Sequence, residues 1–357
     1  MTGRPRGAVD VLPAYRPGKA AAQAEAEHGI TGAIKLAYNE TPWSPVPAVA
    51  AAIADAAAGV NRYADHRAAG VRAALAPALG VPESHVAVGC GSVGLLQQIC
   101  LSYVDPGDEV VYPWRSFEVY PVFTQLAGGV SVTVPLVDHA VDLAAVADAV
   151  TPRTKVVFLA SPNNPTGTSL RTDDLNRFMG SIDRRTLVVI DEAYREFNDP
   201  ALGDPVTDVV LHHDNAVVLR TFSKAHGLAG LRVGYMVAAA EVVATVDKTL
   251  VPFAVNAIAQ AAAVAAVAAH DEILQRVALL EQERDRVVAA LRAAGHEFPQ
   301  PNANFVWLPF GARTDEIALA LEKQGIVTRP FPAEGIRVTI GTAEENDRFL
   351  RALAEVV

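Results

Sequence analysis

Short hydrophobic runs alternate with helix-like segments between about residues 86 and 238 of the chain. Most of these runs are apolar throughout, without polar residues at alternate positions, which is typical of strands buried on both faces. The runs are VAV (86–88), EVVYP (109–113), SVTVPL (131–136), TKVVFLAS (154–161), TLVVIDEAY (186–194), AVVLRTFS (216–223) and VGYMVA (233–238). The pattern predicts an α/β fold in which helices flank a mainly parallel, seven-stranded sheet on both sides.

The hydrophobic pattern changes beyond about residue 240 and predicts a second, smaller α+β domain. An alanine-rich helix is expected over residues 254–268, and a longer amphipathic helix over residues 271–294. Strand-like runs follow, which are NFVWLPF (304–310), GIVTRPF (325–331) and GIRVTIG (335–341). We therefore expect three regions, which are an N-terminal arm that packs on the small domain or on a partner subunit (1–40), a large domain (41–250) and a small domain (251–357).

Composition and charge narrow the classes of function. Hydrophobic residues make up 51% of the chain and charged residues 20%, as in a folded protein with a packed core. The net charge of −10 argues against nucleic acid or an anionic membrane as the main partner, because both require a basic surface. Two cysteines, no visible secretory signal and no apolar stretch of membrane-spanning length favour a cytoplasmic location. We expect no bound metal.

Polar side chains follow three consecutive predicted strands at the point where each strand ends. Asn164 follows the run VVFLASPN, Asp191 follows LVVI, and Lys224 follows VVLRTFS. Ligands bind beyond the carboxyl ends of parallel strands, because loops and helix N-termini converge there. The sequence therefore predicts a ligand site at this edge of the sheet.

Four motifs occur in a fixed order along the chain: NNPTG, VVIDEAYREF, TFSKAHGLAGLRVGY and GIRVTIG. Asp191 lies 27 residues after Asn164, Lys224 lies 33 residues after Asp191, and Arg232 lies 8 residues after Lys224. Together these motifs resemble the fold-type I pyridoxal-phosphate aminotransferases, in the branch that contains histidinol-phosphate and aromatic amino acid aminotransferases. The resemblance covers roughly residues 15–346 and implies that the large domain binds pyridoxal 5′-phosphate.

The resemblance implies that Lys224, Asp191 and Tyr194 are the catalytic residues. The amine of Lys224 would form a Schiff base with the cofactor aldehyde and would later transfer a proton. Asp191 would pair with the protonated pyridine nitrogen and so keep the ring cationic. Asn164 and Tyr194 match the donors to the 3′ oxygen of the ring. From the residues alone, Asp191 could instead be a helix N-cap and Asn164 part of a turn.

Further cofactor contacts are implied around a glycine turn that opens a helix after a strand, where backbone N–H groups can bind phosphate. The residues that match the family's phosphate ligands are Gly91, Ser92, Val93, Thr221, Ser223, Arg232 and, from the second subunit, Tyr63. Phe117 matches the aromatic residue on the pyridine face, with Trp114 and Tyr120 as competitors nearby in sequence. An ordinary helix cap at Gly91 and Ser92, and a core position for Phe117, remain open.

The residues expected to bind substrate are Tyr15, Asn39, Asn164, Arg329 and Arg337. Arg337 matches the arginine that binds the substrate carboxylate, a task suited to a bidentate guanidinium. Arg329 could bind either a substrate phosphate or the distal carboxylate of the amino acceptor. An aromatic substrate would need apolar walls, which could be built by Tyr15, Trp43, Phe117, Phe305 and Phe331.

Two segments, GSVG at 91–94 and NETPWSP at 39–45, differ from the pattern of the histidinol-phosphate enzymes. Both are more similar to the actinobacterial phenylalanine aminotransferases. The expected reaction is transamination of phenylalanine or tyrosine with 2-oxoglutarate, which gives the aromatic 2-oxo acid and glutamate. The alternatives are a histidinol-phosphate aminotransferase of histidine biosynthesis, a pyridoxal-phosphate-dependent phospho-amino acid decarboxylase, and a ligand-sensing module without activity. We expect a homodimer, because the resemblance places Tyr63 in the site of the neighbouring subunit.

Overall fold

The computed structural model describes residues 3–10, 12 and 18–357, so the predicted substrate residue Tyr15 lies outside the described part of the chain. The helices are α1 (Gly7–Asp10), α2 (Ala21–His28), α3 (Pro47–Ala57), α4 (Ala69–Leu79), α5 (Gly91–Tyr103), α6 (Val119–Ala127), α7 (Leu143–Asp148), α8 (Thr172–Ser181), α9 (Ala240–Val246), α10 (Ala257–Ala268), α11 (His270–Ala293), α12 (Thr314–Lys323) and α13 (Ala343–Val356). The strands are β1 (Ile34–Lys35), β2 (Val86–Gly89), β3 (Glu109–Trp114), β4 (Val130–Pro135), β5 (Thr154–Ala160), β6 (Leu187–Asp191), β7 (Ala216–Thr221), β8 (Gly234–Ala238), β9 (Phe305–Leu308), β10 (Ile326–Val327), β11 (Arg329–Phe331) and β12 (Gly335–Thr339).

A seven-stranded sheet forms the centre of the protein, with the strand order β2-β8-β7-β6-β5-β3-β4. Strands β4, β3, β5, β6 and β7 are parallel, and β8 runs antiparallel to both of its neighbours. The predicted fold class, a mainly parallel sheet flanked by helices, is therefore confirmed. Strands β5, β6 and β7 are adjacent, so their carboxyl ends meet at one edge of the sheet.

Alternate residues of the central strands enter two separate hydrophobic clusters, one on each face of the sheet. In β6, Val188 and Ile190 belong to one cluster, whereas Leu187 and Val189 belong to the other. This alternation explains why the strand is apolar at every position, since successive side chains point to opposite faces. Strand β4 lies at the edge of the sheet, and Val130 at its start is 50% exposed.

The small sheet is antiparallel and has the strand order β11-β12-β9. The run 325–331 was expected to form one strand, but it divides at Thr328 into β10 and β11. Strand β10 pairs with β1 from the N-terminal region, whereas β11 pairs with β12. Residues 36–39 therefore run from β1 towards the edge of the large sheet. The predicted domain limits at about residues 40 and 250 stay a prediction.

Helices α10 and α11 correspond to the two helices expected after residue 250, with shifted ends. The side chain of Asn256 caps α10 by accepting a hydrogen bond from the backbone N–H of Ala259, so the helix begins three residues later than predicted. The alanine face of α10 is buried and packs on α3 and α4. Among the described residues no single helix is long and apolar enough to cross a bilayer, and α10 and α11 pass such a test only as a pair bent by 81°.

Gly234 allows the first residue of β8 to lie directly against the N-terminus of α5. A Cβ atom at this position would lie inside van der Waals contact of the Ser92 amide nitrogen and 2.9 Å from the carbonyl oxygen of Arg220. Both neighbours are backbone atoms, so neither can move without shifting a strand or a helix.

We expect Gly234→Ala to lower the free energy of unfolding by about 1–3 kcal/mol, because the added methyl group overpacks a junction of backbone segments. The matched control is Gly180→Ala in α8, where a Cβ meets nothing within 4 Å and helix propensity predicts a gain of about 0.5–1 kcal/mol. Denaturant unfolding midpoints measure both changes. Equal midpoints for the two variants would contradict the close approach of β8 and α5.

Candidate active site

A cavity of 290 Å³ opens at the carboxyl ends of β5, β6 and β7. The predicted convergence is present, because Asn164, Asp191 and Lys224 all line this cavity. The other predicted site residues that line it are Asn39, Ser92, Val93, Phe117, Tyr194, Thr221, Ser223, Arg232, Arg329 and Arg337. The sequence motifs therefore meet in one place, although they are spread over most of the chain.

Lys224 follows β7 and extends into the cavity, where its Nζ donates a hydrogen bond to the carbonyl oxygen of Tyr38 at 2.8 Å. Burial lowers the pKa of Lys224 to about 7, and the positive charge of Arg337 contributes to the same shift. An amine with this pKa is substantially uncharged near neutral pH. Since the uncharged amine is the nucleophilic form, Lys224 is suited to attack a carbonyl carbon.

Asp191 is the last residue of β6 and is 4% exposed. Its Oδ2 accepts a hydrogen bond from the hydroxyl of Tyr120 at 2.9 Å, whereas its Oδ1 has no hydrogen-bond partner in the described part of the chain. Burial raises the pKa of Asp191 to about 6, against the effect of the Tyr120 hydrogen bond. The interpretation as a helix N-cap is wrong, because Asp191 belongs to β6 and Tyr194 occupies the N-cap position of the next helical turn, Arg195–Phe197. A cation in the cavity would satisfy the remaining oxygen.

Of the three aromatic residues considered for the ring face, only Phe117 lines the cavity. The ring of Tyr120 is fully buried and stacks on Phe158, with the ring centroids 4.8 Å apart. Trp114 lies beside the guanidinium of Arg115 at 4.4 Å. The hydrogen bond from Tyr120 to Asp191 was not predicted from the sequence, because it joins residues that are 71 positions apart and lie in different elements.

Asn39 connects the N-terminal region to Tyr194 and to the small sheet. The Nδ2 group of Asn39 donates to the hydroxyl of Tyr194 at 2.8 Å, and its Oδ1 accepts from Thr339 at 3.1 Å. The residue is fully buried and has a φ angle of 55°, in the left-handed region that asparagine tolerates better than most residues. Asn39 thereby fixes the position of the Tyr194 hydroxyl at the cavity wall.

The N-terminus of α5 and a set of hydroxyl and guanidinium groups form one end of the cavity. Ser92 and Val93 line this end, and Gly91 lies beneath Arg232, where a Cβ atom would approach the guanidinium to 2.5 Å. Ser223 accepts hydrogen bonds from Thr221 at 3.0 Å and from Arg232 at 3.3 Å. Helix N-termini and guanidinium groups both favour anions, so this end suits a phosphate group.

Arg329 and Arg337 occupy directly opposite positions on β11 and β12, and both line the cavity. Arg337 donates to Asn164 Oδ1 at 2.5 Å and to the carbonyl oxygen of Ala37 at 2.6 Å. Arg329 donates to Glu118 Oε2 at 2.7 Å. Glu118 also lines the cavity and was not predicted from the sequence, since its only signal was its position next to Phe117.

The aromatic walls expected around the substrate are only partly at the cavity surface. Phe117 lines it, whereas Phe305 and Phe331 are buried behind other wall residues. Phe305 packs edge-on against Tyr194, and Phe331 lies 5.7 Å from the guanidinium of Arg329. Trp43 is half-buried and does not line the cavity. Phe305 and Phe331 therefore support the polar side chains of the wall.

Tyr63 does not line the cavity of its own chain. Its side chain is 85% exposed, and its ring stacks on Phe253, with the centroids 4.5 Å apart. Val60 and Val251 are also exposed, at 62% and 64%. These residues present apolar groups at the surface outside the cavity.

The fold is that of the fold-type I aminotransferases. A sequence model of the family "Aminotransferase class I and II" matches residues 31–353, and the chain belongs to this family. The predicted family is thus confirmed.

The relatives with about 50% sequence identity share one name. The chain is 52% identical to an aromatic amino acid aminotransferase from Thermobifida fusca, with 97% of this chain and 95% of that protein covered. It is 49% identical to an aromatic amino acid aminotransferase from Streptomyces coelicolor, with 98% and 96% covered. Among solved structures, a histidinol-phosphate aminotransferase from Sinorhizobium meliloti in complex with pyridoxal-5′-phosphate is similar with a TM-score of 0.91 and 30% identity, over 100% of this chain and 98% of that one.

We expect Asp191→Asn to stabilise the ligand-free protein at high pH. Because the pKa of Asp191 is raised from 3.8 to about 6, its stabilising contribution is present below about pH 4 and is lost as pH rises through about 6. The free energy of unfolding of the variant should therefore exceed that of the parent protein by up to about 3 kcal/mol near pH 8, and the difference should disappear near pH 4. Denaturant unfolding at the two pH values measures this difference.

Asp183→Asn is the control for this prediction. Asp183 is exposed, and its hydrogen bonds with Arg185 lower its pKa to about 2, so its stabilising contribution is present at high pH and is lost in acid. The control should shift stability slightly in the opposite direction. A loss of stability in Asp191→Asn near pH 8 would contradict the unsatisfied burial of this carboxylate.

Proposed function

We propose that this aminotransferase uses pyridoxal 5′-phosphate to transfer the amino group of an aromatic L-amino acid, phenylalanine or tyrosine, to 2-oxoglutarate. The products are the aromatic 2-oxo acid and glutamate. The observation that carries the proposal is one cavity that holds an amine of lowered pKa, Lys224, together with a buried carboxylate, Asp191, that has one oxygen without a partner in the described chain. This pair suits an aldehyde on a protonated pyridine ring.

The remaining wall residues fit the cofactor as well. When bound, pyridoxal phosphate supplies an aldehyde that takes up the amino group and a ring that withdraws electrons from the reacting carbon. Asp191 would hold the ring nitrogen, and Phe117 would cover one face of the ring. The 3′ oxygen would be bound by Asn164 and Tyr194, and the phosphate by Ser92, Val93, Thr221, Ser223 and Arg232, with Gly91 allowing their close approach.

Lys224 has a second task in this proposal, which is to move a proton at the substrate carbon. A general acid–base group works best when its pKa lies near the working pH. The pKa of about 7 lets the amine of Lys224 accept a proton in one half of the reaction and return it in the other. Lys224, Asp191 and Tyr194 are therefore the proposed catalytic residues.

The aromatic substrate is supported by the names of the relatives and by the cavity wall. Arg337 would bind the substrate carboxylate with a bidentate guanidinium, and Asn39 would hold Tyr194 in place. Phe117 offers an apolar surface for a substrate ring. A second candidate, histidinol phosphate, is supported by the similar solved structure and by Arg329. Glu118 disfavours it, because a doubly charged phosphate beside Arg329 would meet about twice the repulsion from Glu118 that a singly charged carboxylate meets.

The position of Tyr63 supports the proposal of a homodimer. The proposed phosphate ligand Tyr63 is exposed, lies outside its own cavity and stacks on the exposed ring of Phe253. Val60 and Val251, which lie close to these two residues in the sequence, are exposed as well. Exposed apolar side chains of this kind are typical of a subunit interface. We propose that Tyr63 reaches the cavity of the partner subunit. A cytoplasmic location and the absence of a metal stay predictions.

The test of the substrate proposal is a kinetic comparison at a fixed concentration of 2-oxoglutarate. We expect kcat/KM for phenylalanine to exceed that for histidinol phosphate by at least about tenfold, or about 1.4 kcal/mol, because Glu118 disfavours the phosphate. Amino donors without an aromatic ring serve as controls. The reverse order for phenylalanine and histidinol phosphate would establish the second candidate instead.

Subunit mixing tests the dimeric site. Lys224→Ala should be inactive, and Tyr63→Ala should lose most of its activity at low cofactor concentration. The two variants are mixed in equal amounts, unfolded and refolded together, so that half of the dimers contain one chain of each variant. Each of these mixed dimers should have one intact site of two, which gives about a quarter of the parent activity. If mixing restored no activity above the sum of the two variants, Tyr63 would not act across the subunits.

A further inference from the structure

An ion pair between Glu118 and Arg329 lies in the cavity wall. Arg329 Nη2 and Glu118 Oε2 are 2.7 Å apart, and both residues line the cavity. They belong to different parts of the chain, since Glu118 directly precedes α6 and Arg329 begins β11. The Arg329 side chain is 15% exposed, whereas that of Glu118 is 36% exposed.

The register of the small sheet explains why a carboxylate is useful there. Arg329 and Arg337 lie directly opposite each other on neighbouring strands, so their guanidinium groups leave the same face of the sheet. Like charges at such positions repel each other. Glu118 places a negative charge against Arg329 and so reduces this repulsion when no substrate carboxylate is near.

We infer that Glu118 is a specificity-determining residue that acts as a counter-ion for Arg329. It stays paired with Arg329 when an aromatic side chain is bound, and it turns away when the distal carboxylate of a dicarboxylic substrate binds Arg329. The inference rests on the proposed function, in which one cavity accepts both an aromatic amino acid and 2-oxoglutarate in turn. An aromatic ring is bound best beside a neutral ion pair, because an uncompensated guanidinium would lose solvation beneath it.

Differences in exposure and support decide which partner moves. Arg329 is held against the ring of Phe331 at 5.7 Å, whereas Glu118 borders solvent and can turn outward at lower cost. A carboxylate from the substrate then replaces the one that leaves, so Arg329 keeps a charge-assisted hydrogen bond throughout.

A second ion pair keeps the surrounding segments together when Glu118 turns away. Arg115 donates to Glu334 in the turn between β11 and β12, with Nε 3.0 Å from Oε2. Its guanidinium also lies 5.4 Å from the ring of Phe331. Neither Arg115 nor Glu334 lines the cavity. The segment before α6 therefore stays attached to the small sheet independently of the pair between Glu118 and Arg329.

Binding of two unreactive ligands to the holoenzyme tests the inference directly. Glutarate carries two carboxylates, and 3-phenylpropionate carries one carboxylate and a phenyl ring. In Glu118→Gln, we expect the Kd of glutarate to fall about three- to tenfold, because the competing carboxylate is gone, and the Kd of 3-phenylpropionate to stay unchanged or to rise. Isothermal titration calorimetry measures both values, and the KM values for 2-oxoglutarate and phenylalanine should change in the same directions.

Glu334→Gln is the matched control, since it makes the same chemical change at an ion pair outside the cavity wall. It should alter either Kd by less than about twofold. Arg329→Gln provides a second test, in which glutarate binds less tightly and 3-phenylpropionate is little affected. In the double variant with Glu118→Gln and Arg329→Gln, the gain from the first substitution should disappear, because its target is missing.

Three outcomes would overturn the inference: an equal change for both ligands in Glu118→Gln, no change for either, or weaker binding of glutarate. If the protein transaminates phenylalanine with 2-oxoglutarate but one of these outcomes occurs, only the role of Glu118 is wrong. If the parent protein binds glutarate but neither binds 3-phenylpropionate nor uses phenylalanine, the aromatic substrate is wrong, and the glutarate data still measure competition by Glu118.

Discussion

A carboxylate buried at the end of a central strand is the constraint on which the site depends. Asp191 cannot withdraw from the cavity, because β6 is hydrogen-bonded to β5 on one side and to β7 on the other. Tyr120 satisfies one of its oxygens, and the other needs a partner that the described chain does not provide. Leaving a buried polar atom unsatisfied costs free energy. A cationic ligand beside Asp191 would therefore be stabilised at this edge of the sheet.

The same desolvation acts in opposite directions on the two reactive groups. It raises the pKa of the Asp191 carboxyl and lowers that of the Lys224 amine, since burial disfavours whichever form is charged. The cavity thus disposes the amine towards nucleophilic attack while it favours a positive ring beside the carboxylate. The small sheet places Arg329 and Arg337 at the cavity wall. In the proposed function, the large sheet would supply the residues for cofactor chemistry and the small sheet those for substrate selection.

The sequence by itself determined the central sheet and the residues at its functional edge. Strands buried on both faces are apolar at most successive positions, so β5, β6 and β7 could be recognised from local hydrophobicity. Asp191 ends β6, and Asn164 and Lys224 follow shortly after β5 and β7. Parallel strands place their carboxyl ends at the same edge of a sheet, so a common edge was predictable from the sequence, whereas the adjacency of β5, β6 and β7 brought these residues into one cavity.

Only the tertiary structure decided the contacts that join distant segments. Tyr120 and Asp191 are 71 residues apart, and Glu118 and Arg329 are 211 residues apart, so no local pattern marks either pair. The division of 325–331 into β10 and β11 depends on β1, a two-residue strand too short to produce a periodic signal. Periodicity reports which face of an element is buried, whereas the partner of a polar side chain is chosen by the packing of whole elements.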